Sequence, residues 1–158
     1  MATGPLIGIY NKDNTAFQST WDVGIIRSQI PSDELIINVW NNRGGATDVS
    51  DLKEPVLAVL DANGLTSDTP VPKEKWVQVN VESVDGDDTT FTPIGGTTTK
   101  VLRANSGVIT DEIKGSTNNG DPIMYPQNVC TAKLRVVAPI NSISGDFTFK
   151  IRLTAYFT

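Results

Sequence analysis

The segment "DFTFKIRLTAYFT", Asp146 to Thr158, decides the fold class. Phe147, Phe149, Ile151, Leu153, Ala155 and Phe157 alternate with Thr148, Lys150, Arg152, Thr154 and Tyr156. This is period two sustained over a whole strand, with one face for a core and the other for water. Immediately upstream, "NVCTAKLRVVA" (128–138) repeats the pattern, with Cys130, Ala132, Leu134, Val136 and Ala138 inward and Thr131, Lys133 and Arg135 outward. With "APINSISGD" as connector, the two segments read as an antiparallel pair. The closing strand, Phe157 included, then belongs to the core.

Working outward, "WVQVNVES" alternates Val77, Val79 and Val81 with Gln78, Asn80 and Glu82, and "TWDVGIIR" alternates through Trp21, Val23 and Ile25. Both read as half-buried strands. "ELIINVW" (34–40) and "PVLAVLD" (55–61) are more continuously apolar, as central strands are. "LIGIY", "TFTPI", "KVLR" and "GVITDEI" are shorter candidates. Between these runs lie "NNRGG", "DANG", "VDGDD", "PIGGTTT" and "STNNGDP", where Asn, Asp and Gly supply positive φ and self-capping turns. Apolar residues at helical spacing are missing, so any helix is one turn. Many short strands with turn signals every roughly 8 to 12 residues predict an all-β antiparallel sandwich or barrel. The polar, glycine-rich stretch 95–121 reads as a long loop excursion, and 1–19 as an N-terminal arm or a first strand.

A chain of 158 residues fits a single domain. Acidic residues outnumber basic ones 18 to 13, a net charge of −5 that offers no broad positive field to nucleic acid or anionic membrane. No run approaches the roughly 20 apolar residues of a membrane span, and the first residues lack the pattern of a signal peptide. Synthesis in the cytoplasm is the expectation. The lone Cys130 forms no internal disulfide and reads as a buried apolar residue rather than a reactive thiol.

There is no histidine, which removes Ser-His-Asp and Cys-His machinery and His-ligated metals. Phosphate-cradling, dinucleotide and nucleophile-elbow motifs are missing too. Asp85, Asp87 and Asp88 crowd together, yet a calcium loop registered on Asp85 needs glycine where Thr90 stands and glutamate where Gly96 stands. A glycosidase needs only two facing acids, and nothing in the sequence selects a pair. The expectation is a protein without catalytic, metal or cofactor residues.

Large rings carry more information. If Leu35, Ile37 and Val39 are core, Trp40 points outward beside Asn38. By the same parity Trp76 shares a face with Gln78, and Tyr156 with Arg152. Outward aromatics serve as protein-contact anchors or as sugar-stacking platforms, while the plainer reading has them sealing sandwich ends. Leu6, Ile7, Tyr10 and Phe17 could seat an N-terminal arm on a partner. Arg43 in "VWNNRGGATDVSDL" lies in what reads first as a turn leaving a strand. Leu6, Ile7, Tyr10, Phe17, Trp40, Arg43, Trp76 and Tyr156 are therefore the candidate contacts.

The succession "ELIINVWNNRGGATDVSDL…PVLAVLDANG", "KWVQVNVES" and "APINSISGDFTFKIRLTAYF" resembles the immunoglobulin-like β-sandwich of adhesion-type modules. "TWDVG", "VWNNRGG", "VSDL", "FTPIGG" and "GDFTFKIRLTAY" are similar to small β-rich virion proteins of tailed bacteriophages that infect Gram-positive bacteria. That resemblance implies a non-enzymatic capsid decoration or head auxiliary protein. Its partner would be the major capsid protein or another virion protein, bound by a symmetric homo-oligomer. A tail, neck or baseplate component, or a glycan-binding sandwich, are the alternatives.

Overall fold

The computed structural model describes residues 3–157; residues 1, 2 and 158, at the ends of the segments 1–19 and 146–158 read above, lie outside it. In chain order the strands are β1 (Ile7–Asn11), β2 (Leu35–Asn41), β3 (Leu52–Asp61), β4 (Val77–Asn80), β5 (Thr92–Ile94), β6 (Lys100–Val101), β7 (Glu112–Ile113), β8 (Val129–Val136) and β9 (Phe149–Phe157). Helix is confined to single turns: α1 (Pro70–Lys73), α2 (Glu82–Asp85) and a 3-10 turn at Pro126–Asn128. One sheet has the order β1-β2-β8-β4-β5. In the other, β3 carries β9 along one side and β6 and β7 in succession along the opposite side, because Leu52 pairs with both Ile113 and Phe157, and Val56 with both Val101 and Thr154. Every pairing is antiparallel.

The two sheets share one core. Ile37 and Val39 of β2, Val77 and Val79 of β4, and Ala132 and Leu134 of β8 pack in one cluster with Leu57 and Val59 of β3 and Ile113 of β7. Burying each such side chain contributes about 1.5–3 kcal/mol relative to exposure. The inward parity read for β8 and for Val77, Val79 and Val81 is the one observed. Pro55, which removes a ladder donor, is accommodated in the long β3 by a bulge between Lys53 and Val56, where Glu54 has φ 49°.

Several expectations are corrected. β8 and β9 do not pair; the connector carries the chain from one sheet to the other. Period two fixes which face a strand buries, not which strand lies beside it. "TWDVGIIR" joins no ladder. It lies along the open side between the sheets, where Trp21 packs edge-on against Phe149 at 5.7 Å. Phe157 is 61% exposed, because β9 has a neighbour on one side only and its end outruns the core. The stretch 95–121 contributes β6 and β7 and buries Leu102, Ala104 and Ile113, so it is docked on β3 rather than projecting from it. Of the two readings of 1–19, Ile7–Asn11 has that of a first strand, paired with β2.

Candidate functional site

The β1–β2 corner gathers six of the residues singled out from the sequence, although Ile7 has the core-facing parity of Ile9 and stands at the start of the strand rather than on its outer face. Along β1, Ile9 packs on the core, while Gly8 and Tyr10 have the opposite parity. Gly8 stands across the ladder from Trp40, and a Cβ there would lie 2.6 Å from Tyr10 Cε2. Glycine is what lets the phenol lie down over the strand. After β1 the chain turns through Asn14 (φ 58°), with Asn11 Oδ1 accepting from Thr15 N–H at 2.9 Å. It returns so that Gln18 N–H donates to the Ile9 carbonyl at 2.9 Å and the Phe17 ring stands 4.7 Å from that of Tyr10.

This turn also covers β2. Asn14 Oδ1 accepts from Trp40 Nε1 at 2.8 Å and from Asn38 Nδ2 at 3.1 Å. Trp40 therefore has the outward parity predicted but no exposure at all. As a surface contact or sugar platform it is ruled out, because a folded-back turn seals it and satisfies its N–H.

Above this layer sits Arg43. Its guanidinium carbon is 4.5 Å from the Tyr10 ring centroid and 5.6 Å from that of Trp40, within cation–π range of both. The turn presenting it is rigidly built. Asn42 (φ 61°) and Gly44 (φ 68°) take the left-handed conformation, and Gly45 N–H donates to the Asn42 carbonyl at 3.0 Å. Asn118 Oδ1 accepts from Gly44 N–H at 2.8 Å and from Gly120 N–H at 2.9 Å, and its Nδ2 donates to the Asn42 carbonyl at 2.7 Å. Among the described residues no carboxylate pairs with Arg43, and its Nε has no hydrogen-bond partner. Phe17, which packs on Tyr10, is 69% exposed, Leu6, whose carbonyl accepts from the Asn42 N–H, is 57% exposed, and Ile7 is about half exposed where β1 begins.

Sequence reasoning missed the far rim. Gly120 lies against the Arg43 stem, and Ile123 and Met124, three and four residues on, are exposed. The available signal was two apolar residues in "DPIMYPQ", a stretch with no strand pattern.

The remaining candidates lie elsewhere. Trp76, expected outward, is buried, packs against Phe147 at 5.4 Å and donates from Nε1 to Glu74 at 3.2 Å. Parity fails there because Lys75 (φ 56°) swings the chain just before β4 begins, and the indole closes the end of the core. Tyr156 is exposed on β9, in the other sheet.

The ionisable side chains near β3 and in the loops are engaged structurally. Lys100 pairs with Asp85 at 2.7 Å in a largely buried bond, and Arg103 with Asp111 at 2.6 Å. Glu112 is held between Lys53 and Lys114, whose hydrogen bonds outweigh the upward push of burial and set its carboxyl below the ordinary value. Asp87 accepts from Thr90 Oγ1 and from the Thr90 and Thr89 amides, which lowers its pKa too. Asp85 and Asp87 thus serve a salt bridge and a turn, and no grouping of three or more metal-binding side chains occurs among the described residues. Two open clefts, about 740 and about 560 Å3, flank the 18–28 segment. Each has one carboxylate in its lining, Asp22 in the first and Asp146 in the second, so neither presents a facing acid pair.

No protein-family model matches the chain, and no curated protein matches it.

Proposed function

We propose that the chain is a non-enzymatic virion structural protein, an immunoglobulin-like sandwich that decorates the assembled head of a tailed bacteriophage. It is made in the host cytoplasm and binds the major capsid protein through the β1–β2 corner. The observation that carries this reading is Arg43: a cation without a carboxylate partner among the described residues, stacked on Tyr10, whose ring also packs on the exposed Phe17. Arginine and aromatic side chains are the anchor types that dominate protein interfaces. The carboxylate and lysine clusters elsewhere are tied up in loop-holding pairs, which supports a binding role over a catalytic one. With Trp40 and Trp76 buried, sugar stacking has lost its two largest platforms.

The test is co-sedimentation of purified protein with phage heads that lack it. Saturable binding is expected, weakened at least about tenfold by Arg43→Ala or Phe17→Ala with an unchanged melting profile. Failure to co-sediment with heads refutes the decoration role, and labelling confined to the tail, neck or baseplate in micrographs moves the protein to those parts.

A further inference from the structure

β9 is the longest strand edge left uncovered. Among the described residues its backbone pairs with β3 alone, and no other backbone hydrogen bond reaches residues 149–157. The other edges are blunted: β1 is lined by the returning Phe17 and Gln18, β5 is three residues long with Pro93 at its centre, and β6 and β7 have two residues each. Monomeric β proteins protect long edges with prolines, bulges or inward charges. β9, FKIRLTAYF, has no proline or glycine, and its charges, Lys150 and Arg152, share the exposed parity.

We propose that this edge pairs with the β9 edge of a second copy of the chain, antiparallel about a two-fold axis at Thr154. Four constraints select that register, the first being length, since an axis at Ala155 or beyond pairs five described residues or fewer. The core-side residues of both copies must stay on one face, so the axis passes at a residue and not between two. Axes at Lys150, Ile151 or Arg152 set Lys150 or Arg152 opposite a like charge, which is unfavourable. An axis at Leu153 draws Phe149 into the ladder, where Trp21 already packs against it.

With the axis at Thr154 the ladder runs from Ile151 to Phe157. Phe157 falls opposite Ile151, Leu153 opposite Ala155, and Tyr156 opposite Arg152. The pairing gives the exposed Phe157 and Tyr156 partners, one apolar and one cation–π. A single strand pair is a small isologous interface, so the dimer is expected to be weak, roughly micromolar or weaker. It becomes significant when many copies are held on one surface. The inference does not rest on the proposed head-binding function.

Cross-linking tests the register. Cys130 is fully buried, so Thr154→Cys introduces the one accessible thiol of the chain. In this register its symmetry mate is directly opposite, with a Cα separation of about 4.5–5.5 Å that a disulfide can span. Lys150→Cys is the control, its mate being about 27 Å away along the ladder. Under mild oxidation T154C should form dimers at least about tenfold faster than K150C. Sedimentation of the wild type should show a concentration-dependent dimer that Thr154→Lys weakens at least about tenfold, because two ammonium groups then face each other. Equal cross-linking of the two cysteine variants, a wild type that stays monomeric at millimolar concentration, open-ended association, or a dimer indifferent to T154K would each overturn the proposal.

Discussion

Asn41 joins the two sheets where β2 ends, and replacing it with leucine should lower stability by about 3 kcal/mol. Its side chain is fully buried. The Leu6 N–H donates to Oδ1 at 3.1 Å, and Nδ2 donates to the Ser50 carbonyl at 2.9 Å and the Ile113 carbonyl at 3.2 Å. One amide thereby links the approach to β1, the entry to β3 and the end of β7. Leucine keeps the branching at Cγ, is somewhat larger, and removes all three bonds. The Leu6 amide belongs to an exposed residue and can rehydrate, for a loss of about 1 kcal/mol. The Ser50 and Ile113 residues are buried, and their carbonyls lose a donor with no water to replace it, about 1–2 kcal/mol each. The apolar area that leucine buries returns about 1 kcal/mol. For a domain of this size the net loss is a drop of roughly 6–12 °C in melting temperature. Urea unfolding followed by tryptophan fluorescence should show a lower midpoint with an unchanged slope. A loss below about 1 kcal/mol would refute the claim that this amide, rather than the surrounding apolar packing, holds the sheet ends together.

Gly115→Ala should cost at least about 1–3 kcal/mol in urea unfolding, because its Cβ would lie 2.3 Å from the Val49 carbonyl oxygen and 2.6 Å from that of Ser50, both backbone atoms. Glu112 titrates below its ordinary value of 4.5 in the folded chain, so its stabilisation is complete above that pH and is lost as pH falls through the lower folded value. Between about pH 5 and about pH 3 the wild type should therefore lose more stability than Glu112→Gln, and parallel acid profiles would contradict this. Burial pushes the Cys130 thiol up to about 12, so a thiol reagent at neutral pH should label it only as fast as the protein unfolds. Rapid labelling of the native chain would mean that the inner face of β8 opens on its own.

What was legible followed from side-chain alternation. β4, β8 and β9 were readable because a strand half-buried on one face must alternate, and Val77, Val79, Cys130, Ala132 and Leu134 do so inward as read, whereas β2 and β3 were readable as continuously apolar runs. Alternation is silent about partners, which is why β8 and β9 read as neighbours although they lie in different sheets. It is also not sufficient for a strand. "TWDVGIIR" turns Trp21 and Val23 toward a half-open core, but its backbone makes no ladder and the alternation breaks at Ile25, which is fully exposed while Ile26 packs inward. β6 and β7 are two residues each, too short for any period to appear. Of the proposed contact corner, Leu6, Ile7, Tyr10, Phe17 and Arg43 were legible, but the burial of Trp40 depended on a turn from another part of the chain, which parity cannot foresee. The asparagines of "NNRGG" were legible as turn formers; that their amides also bind distant loops was not, since a neutral donor–acceptor group carries no sequence signature of its partner.

On the proposed function, the turn at "NNRGG" and a contact through Arg43 are compatible readings. A guanidinium on a mobile loop would lose conformational freedom on binding, which reduces affinity; one already fixed on an aromatic ring does not. Asn118 supplies much of that fixation, holding Gly44 and Gly120 on either side of the Arg43 stem and the Asn42 carbonyl before it. Asn118→Ala should leave the chain folded while freeing the turn, and head binding should weaken although Asn118 is not among the exposed anchors. The informative measurement is the double variant. If Asn118 acts by positioning Arg43, adding N118A to R43A should weaken binding no further, whereas independent roles would make the two losses add. Additive losses, or an N118A protein that binds as well as wild type, would show that the rigidity of this turn contributes nothing to the contact.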